Sequence, residues 1–141
     1  MRTVRLAALA IMMMLALVAG AGASHASSRP MCHGERATIR GDKGDDKIKG
    51  KHDKDDVIVG LRGDDEIDGR GGDDTICGNQ GDDELEGNRG KDKLIGGRGD
   101  NELNARDGKK DAIVSGGPGY DICKIDRRDK TRGCEKIIRH R

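Results

Sequence analysis

The sequence predicts an all-β solenoid, a stack of short similar coils, and three observations carry that reading. Ile or Leu recurs at Ile39, Ile48, Ile58, Ile67, Ile76, Leu85, Leu94, Leu103 and Ile113, six of the eight intervals being nine residues and two being ten. From Ile48 onward each of these stands two positions after an Asp or Asn. The 141-residue chain also holds 23 Gly but no Trp, no Phe and one Tyr, Tyr120, so an ordinary globular core cannot be assembled. Self-similarity at a fixed period is the mark of stacked repeats that bury one continuous aliphatic seam.

Taken from the N-terminus, Met1-Arg-Thr-Val-Arg5 is basic, Leu6 to Val18 is uninterrupted apolar sequence, and Ala19 to Ala26 is small and polar. That pattern reads as a secretory signal peptide, residues 1–26, cut after Ala26 or, alternatively, after Ala23. The apolar run is short for a membrane span, and no second one follows. Residues 27–40 are read as a lead through Pro30 and a cap from Met31 to Arg40.

Residues 41–124 form the array. Its unit is clearest in Gly69-Arg-Gly-Gly-Asp-Asp-Thr-Ile-Cys77, Gly78-Asn-Gln-Gly-Asp-Asp-Glu-Leu-Glu86 and Gly87-Asn-Arg-Gly-Lys-Asp-Lys-Leu-Ile95. Each opens on Gly and repeats Gly at position four, Asp at six and an aliphatic residue at eight. A chain that reverses within six residues needs positive φ, which Gly supplies without steric cost and Asn tolerates. Such turns also aim backbone carbonyls inward. With an Asp closing each turn, they make the oxygen-rich surroundings that calcium uses, six to eight oxygens at a time. The residues after Asp suit a strand of two or three residues with its aliphatic side chain inside.

This unit resembles the glycine-rich nonapeptide of the hemolysin-type calcium-binding (RTX) family, from Gly41 to about Lys124. The resemblance implies a right-handed parallel β-roll with two nonapeptides per coil and several Ca2+ ions held between stacked turns. Asp residues 18 or 19 positions apart would then stack, Asp46, Asp65, Asp83 and Asn101 on one edge and Asp56, Asp74, Asp92 and Asp111 on the other. The expected metal ligands are Asp46, Asp56, Asp65, Asp74, Asp83, Asp92, Asp111 and Asp121. Asp65, Asp74, Asp83 and Asp92 stand in the best-kept repeats. Lys51 and Lys54 replace glycines near Asp56, Asn101 lacks the charge, Lys109-Lys110 lengthen the turn before Asp111, and Cys123 takes the aliphatic place after Asp121. The position-five acids Asp45, Asp55, Asp64, Asp73 and Asp82 read as solvated turn residues. An EF-hand is set aside because no Asp-x-Asp-x-Asp-Gly run ends in the required Glu.

Residues 125–141 are expected to be a basic cap closed by a disulfide. Four cysteines in a secreted chain suggest two disulfides, with three connectivities open. The resemblance favours Cys123–Cys134 with Cys32–Cys77, since small secreted members end in a similar Asp-x-Cys…Arg-Gly-Cys-Glu pattern. Zinc is the competing use of cysteine, but only His33 stands beside Cys32 and no ligand-pair spacing occurs, so disulfides are favoured over it. The whole chain carries 27 Lys+Arg and 26 Asp+Glu; without Arg2 and Arg5 the balance is −1, and Lys124 to Arg141 holds eight basic and three acidic residues. That tail reads as a solvated cap of the kind a solenoid needs on its last coil. Without aromatic platforms, base stacking on nucleic acid is not available.

Catalysis finds little support: beyond the leader only Ser27, Ser28 and Ser115 could serve as serine nucleophiles, and no His-Glu-x-x-His occurs. The expectation is a monomeric, secreted, calcium-binding repeat protein with a structural or surface-interaction role. A calcium-dependent adhesin or matrix component contacting a cell-wall or matrix polymer is the alternative, and a toxin- or hydrolase-associated accessory is the remaining one.

Overall fold

The computed structural model of the chain describes residues 29–111 and 113–140. The expected signal peptide lies outside them. Among the described residues there is no helix, and hence none long and apolar enough to cross a membrane.

The chain begins with an antiparallel hairpin, β1 (Met31–Cys32) and β2 (Glu35–Arg36). Short strands then alternate between two sheets: β3 (Ile39–Arg40), β4 (Lys47–Lys49), β5 (Val57–Arg62), β6 (Glu66–Asp68), β7 (Thr75–Gln80), β8 (Glu84–Glu86), β9 (Lys93–Arg98), β10 (Glu102–Ala105), β11 (Ile113–Ser115), β12 (Ile122–Ile125), β13 (Thr131–Arg132) and β14 (Lys136–Arg139). Odd-numbered strands β3 to β13 pair in one six-stranded sheet, even-numbered β4 to β14 in the other, and every neighbouring pair runs parallel. A strand therefore meets the strand two repeats later, which is the connectivity of a β-solenoid with two nonapeptides per coil.

Register follows the sequence period. Ile58 lies beside Ile76, and Ile76 beside Leu94; in the other sheet Ile48, Ile67, Leu85 and Leu103 are successive neighbours. These side chains and Val114, Cys123 and Ile125 fill the seam between the sheets, nearly all of them wholly buried. Ile39 packs against its N-terminal end. In the middle coils each strand sends one aliphatic side chain into this seam, while β10 adds Ala105 and β12 sends both Cys123 and Ile125.

One expected core residue is corrected. Leu94 is paired by Val114, not Ile113, and Val114 is completely buried while Ile113 is half-exposed. The ten-residue interval before Ile113 hides this change: the register advances one residue between Asp111 and Ile113, so the side chain entering the seam is the next one along.

Both favoured disulfides are present. Cys123–Cys134 joins strand β12 to the closing loop with Cα atoms 6.0 Å apart, and Cys32–Cys77 spans 5.8 Å. The second does more than close a cap. Strands alternate their faces, so Val59 and Cys77, next to inward-facing Ile58 and Ile76, point outward. There Cys32 and Ala37 cover them, with Val57, Leu61 and Ile95 around, and Glu35 pairs with Lys93 Nζ at 2.9 Å. The hairpin thus lies on the flank of the first sheet.

Candidate metal centre

Each coil has two turns, and the Asp at the end of each turn reaches along the stack. On the first edge the backbone N–H of Asp46 donates to Asp65 Oδ1 (2.9 Å), that of Asp65 to Asp83 Oδ1 (3.0 Å), and that of Asp83 to Asn101 Oδ1 (3.0 Å). Asn101 N–H continues to Asp121 Oδ1 (2.9 Å), and Asp121 N–H ends on Glu135 Oε2 (2.8 Å). On the second edge Asp56 N–H donates to Asp74, Asp74 to Asp92, Asp92 to Asp111 and Asp111 to Asp129, all within 2.8–2.9 Å. Thr38 Oγ1 opens this column by donating to Asp56 Oδ1 at 3.0 Å.

The other carboxylate oxygen is what makes these columns chemically unusual. Oδ2 of Asp65, Asp74, Asp83, Asp92, Asp111 and Asp121 is buried with no hydrogen-bond partner in the protein. Buried polar atoms are almost always paired, and an unpaired carboxylate oxygen carries a large desolvation penalty. Five of the six abut the glycine that opens their own turn. A β-carbon on Gly60, Gly69, Gly78, Gly87 or Gly116 would collide with Oδ2 of Asp65, Asp74, Asp83, Asp92 or Asp121 respectively. The carbonyl oxygen of the next coil's opening glycine approaches the same point, Gly78 at Gly60, Gly87 at Gly69 and Gly96 at Gly78. Glycine is required here for space, and the space is walled by hard oxygens.

Electrostatics agree with the geometry. Burial pushes Asp74 from an ordinary 3.8 up to about 6, and Asp83, Asp92 and Asp111 up to about 7. The backbone N–H received from the preceding coil pulls each down, and neighbouring acids in the stack push upward again. Burial raises Asp65 as well. Groups that resist ionising because nothing compensates their charge are groups a cation would stabilise.

Two of the eight expected ligands differ from the rest. Asp46 Oδ2 accepts the N–H of Asp42 (2.7 Å), and Asp56 Oδ2 accepts that of Lys51 (2.7 Å), so each Oδ2 has a partner already. Lys51 and Lys54, where glycines are missing, are part of that second turn. Asp111 keeps its unpaired oxygen, although Ala105 follows Asn104 where Gly87 follows Glu86 in the neighbouring coil. Among the described residues, no three acidic, histidine or cysteine side chains converge. One Asp per turn cannot build such a cluster, so any ion here takes the balance of its oxygens from turn carbonyls.

The position-five acids are exposed, as expected of solvated residues, but they also form ladders of their own. Asp64 N–H donates to Asp45 Oδ1 (2.9 Å), Asp82 N–H to Asp64 Oδ1 (2.8 Å), and Asp100 N–H to Asp82 Oδ1 (2.8 Å). Asp73 N–H likewise reaches Asp55 Oδ1 at 2.7 Å. These bonds run opposite to the buried ladder, so consecutive residues tie each coil to the coils on both sides.

Sequence reasoning missed the column ends Thr38, Asp129 and Glu135. Asp129 had a usable signal: it lies 18 residues after Asp111, the period of its own column. Glu135 follows Asp121 by 14 and carries no such signal.

The family model for the RTX calcium-binding nonapeptide repeat matches residues 36–51, 52–85 and 78–109, just over half of the chain. No curated protein and no solved structure matches it.

Proposed function

The chain belongs to the RTX calcium-binding nonapeptide repeat family, and from that premise we propose that it is a secreted, non-catalytic module whose β-solenoid is completed by Ca2+ in its glycine turns. The observation that carries this reading is the set of buried, unpaired Oδ2 atoms of Asp65, Asp74, Asp83, Asp92, Asp111 and Asp121. In five of them the facing residue is a glycine, whose missing β-carbon lets the carboxylate oxygen lie against the turn. Calcium supplies no reaction chemistry here; it supplies positive charge and accepts many oxygens at flexible geometry.

This chain's residues do the rest. The Asp side chains present one oxygen to the neighbouring coil's N–H and the other to the ion, so an ion bound at one turn tightens two coils. Asp56, whose oxygens accept from Thr38 Oγ1 and the Lys51 N–H, serves as a ligand only if one of those bonds opens, whereas Asp46 accepts through Oδ2 alone. Secretion rests on residues 1–26 and on the two disulfides, which persist in oxidising compartments. There, calcium near millimolar suits extracellular sites of modest affinity. A monomer is supported by the charged edge strands, Lys47 and Lys49 at one end of the second sheet and Lys136 and Arg139 at the other, since charge on an edge discourages pairing between chains.

The test is far-UV circular dichroism of the oxidised mature chain, titrated with calcium and separately with magnesium. The reading expects a cooperative gain of β-structure in calcium and little in magnesium, which prefers rigid octahedral sites. A chain with the same spectrum in chelator and in millimolar calcium would contradict it.

A further inference from the structure

The first-edge column contains one member that is not an acid. Asn101 is 1% exposed and stands between Asp83 and Asp121 in the ladder. Its side-chain orientation is fixed by its partners. The N–H of Asp83 needs an acceptor, which must be Oδ1 (3.0 Å). The opposite atom faces Asp121 Oδ1 at 2.8 Å and the carbonyl oxygen of Gly99 at 3.0 Å, both acceptors, and so must be the amide nitrogen.

That nitrogen occupies the position the unpaired oxygen holds elsewhere. A β-carbon on Gly96 would stand 2.7 Å from Asn101 Nδ2, as those on Gly60 and Gly78 would meet Oδ2 of Asp65 and Asp83 in the two preceding coils of this edge. Where the other turns leave an oxygen orphaned, here both amide hydrogens are used, one on Gly99 and one on Asp121. Asn101 has no unpaired buried atom, while its column neighbours Asp83 and Asp121 each have one. On the second edge Asp74, Asp92 and Asp111 run through the same coils without interruption.

We propose that Asn101 is a covalent stand-in for a cation: its NH2 group fills the Gly96 turn with fixed positive hydrogens, so the first-edge row of ions is broken at this coil. Each edge keeps three unpaired oxygens, but on the first they are split by this coil, Asp65 and Asp83 before it and Asp121 after it, while on the second Asp74, Asp92 and Asp111 are continuous. The Asn101–Asp121 bond adds to the backbone pairing of β10 with β12 without a metal. This rests on the calcium reading above.

The experiment counts calcium ions per chain by native mass spectrometry on the oxidised mature protein, wild type against Asn101→Asp and Asp92→Asn, with far-UV circular dichroism in calcium as the check on folding. Asn101→Asp restores the missing oxygen and should raise the count. Asp92→Asn transplants the amide into the continuous edge, facing Gly87, and should lower it. A wild type that binds calcium but shows no gain in Asn101→Asp overturns the inference and leaves the calcium reading intact. If Asn101→Asp does not fold, Asp92→Asn decides alone, and a full ion count in that variant overturns the inference. A wild type that binds no calcium removes the functional reading itself.

Discussion

Asp74 N–H donates to Asp92 Oδ1 at 2.9 Å, while Asp92 Oδ2 lies completely buried beside Gly87 with nothing to bond. One carboxylate therefore holds two coils together and presents an uncompensated oxygen to a turn whose glycine lets it approach the backbone closely. Repeated along both edges, this arrangement makes the stack's cohesion and its ligand the same question.

The neighbouring acids separate the two roles. Asp74→Ala with Asp83→Ala removes two unpaired oxygens and two ladder bonds, and should raise the calcium midpoint of folding and reduce the ion count. Asp73→Ala with Asp82→Ala removes only exposed bonds, from Lys91 N–H and Asp100 N–H. Each such loss costs about 0.5–1.5 kcal/mol of stability, and the ion count should not change. Calcium-dependent denaturation curves for the two pairs check this.

On the calcium reading, protons and calcium compete for the same oxygens, and the sign of the pH effect reverses between the two states. In chelator, Asp74 at about 6 and Asp83, Asp92 and Asp111 at about 7 are raised above their unfolded values. Their protonation stabilises the metal-free stack fully below about pH 4, and that contribution fades as pH rises through 6 to 7. The chelated chain should therefore hold more β-structure at pH 5 than at pH 8. With calcium the order inverts, since the ion needs the ionised form, and the calcium midpoint should rise as pH falls below 7. Far-UV circular dichroism at both pH values, with and without calcium, measures both signs.

Arg70 has φ of 74°, a left-handed conformation in a turn position where the first edge has Asn79 at 82° and Gly97 at 116°. A non-glycine residue there costs about 1–2 kcal/mol. Its guanidinium gains little in return, lying 4.0 Å from Asp68 at a partly exposed site. Arg70→Gly should raise the unfolding free energy by roughly 0.5–1 kcal/mol net of the flexibility that glycine adds to the unfolded chain, and so raise the denaturation midpoint. An unchanged or lower midpoint would show that the turn is not strained.

Releasing the flank hairpin should weaken the fold without touching the ions. Cys32→Ser with Cys77→Ser opens a bridge across 45 residues, worth about 2–4 kcal/mol in the chain-entropy description. Hydrogen exchange should speed up in β1 and β2, with protection elsewhere in the stack and the calcium count preserved.

The period that made the seam legible is a property of backbone geometry: one aliphatic side chain per strand and one glycine bend per turn. For that reason Ile48 through Leu103 could be placed from spacing alone, and both Asp columns from that spacing with the two nonapeptides per coil that the family resemblance implies. Spacing failed where the chain departs from nine residues. The longer turn around Lys109-Lys110 accounts for Asp111 standing 19 residues after Asp92, but a further one-residue advance after Asp111 carries no sequence signal, and Val114 takes the place expected for Ile113. It also carries no information on what covers an outer face, so the packing of Cys32 and Ala37 on Val59 and Cys77 was not readable. The pairing of Asp46 and Asp56 with nearby N–H groups depends on turn conformation, which composition does not specify. Asp129 was readable and overlooked, because its glycine turn is absent even though its period is intact.

The most direct measurement is a crystal of the oxidised mature chain grown in millimolar calcium, with diffraction recorded at a long wavelength where calcium scatters anomalously. Anomalous peaks within calcium–oxygen bonding distance of Asp65, Asp74, Asp83 and Asp92 Oδ2, at the turns opened by Gly60, Gly69, Gly78 and Gly87, are the predicted result. A map without peaks at those turns, the carboxylates still buried and still bonded only to the preceding coil, would contradict the account.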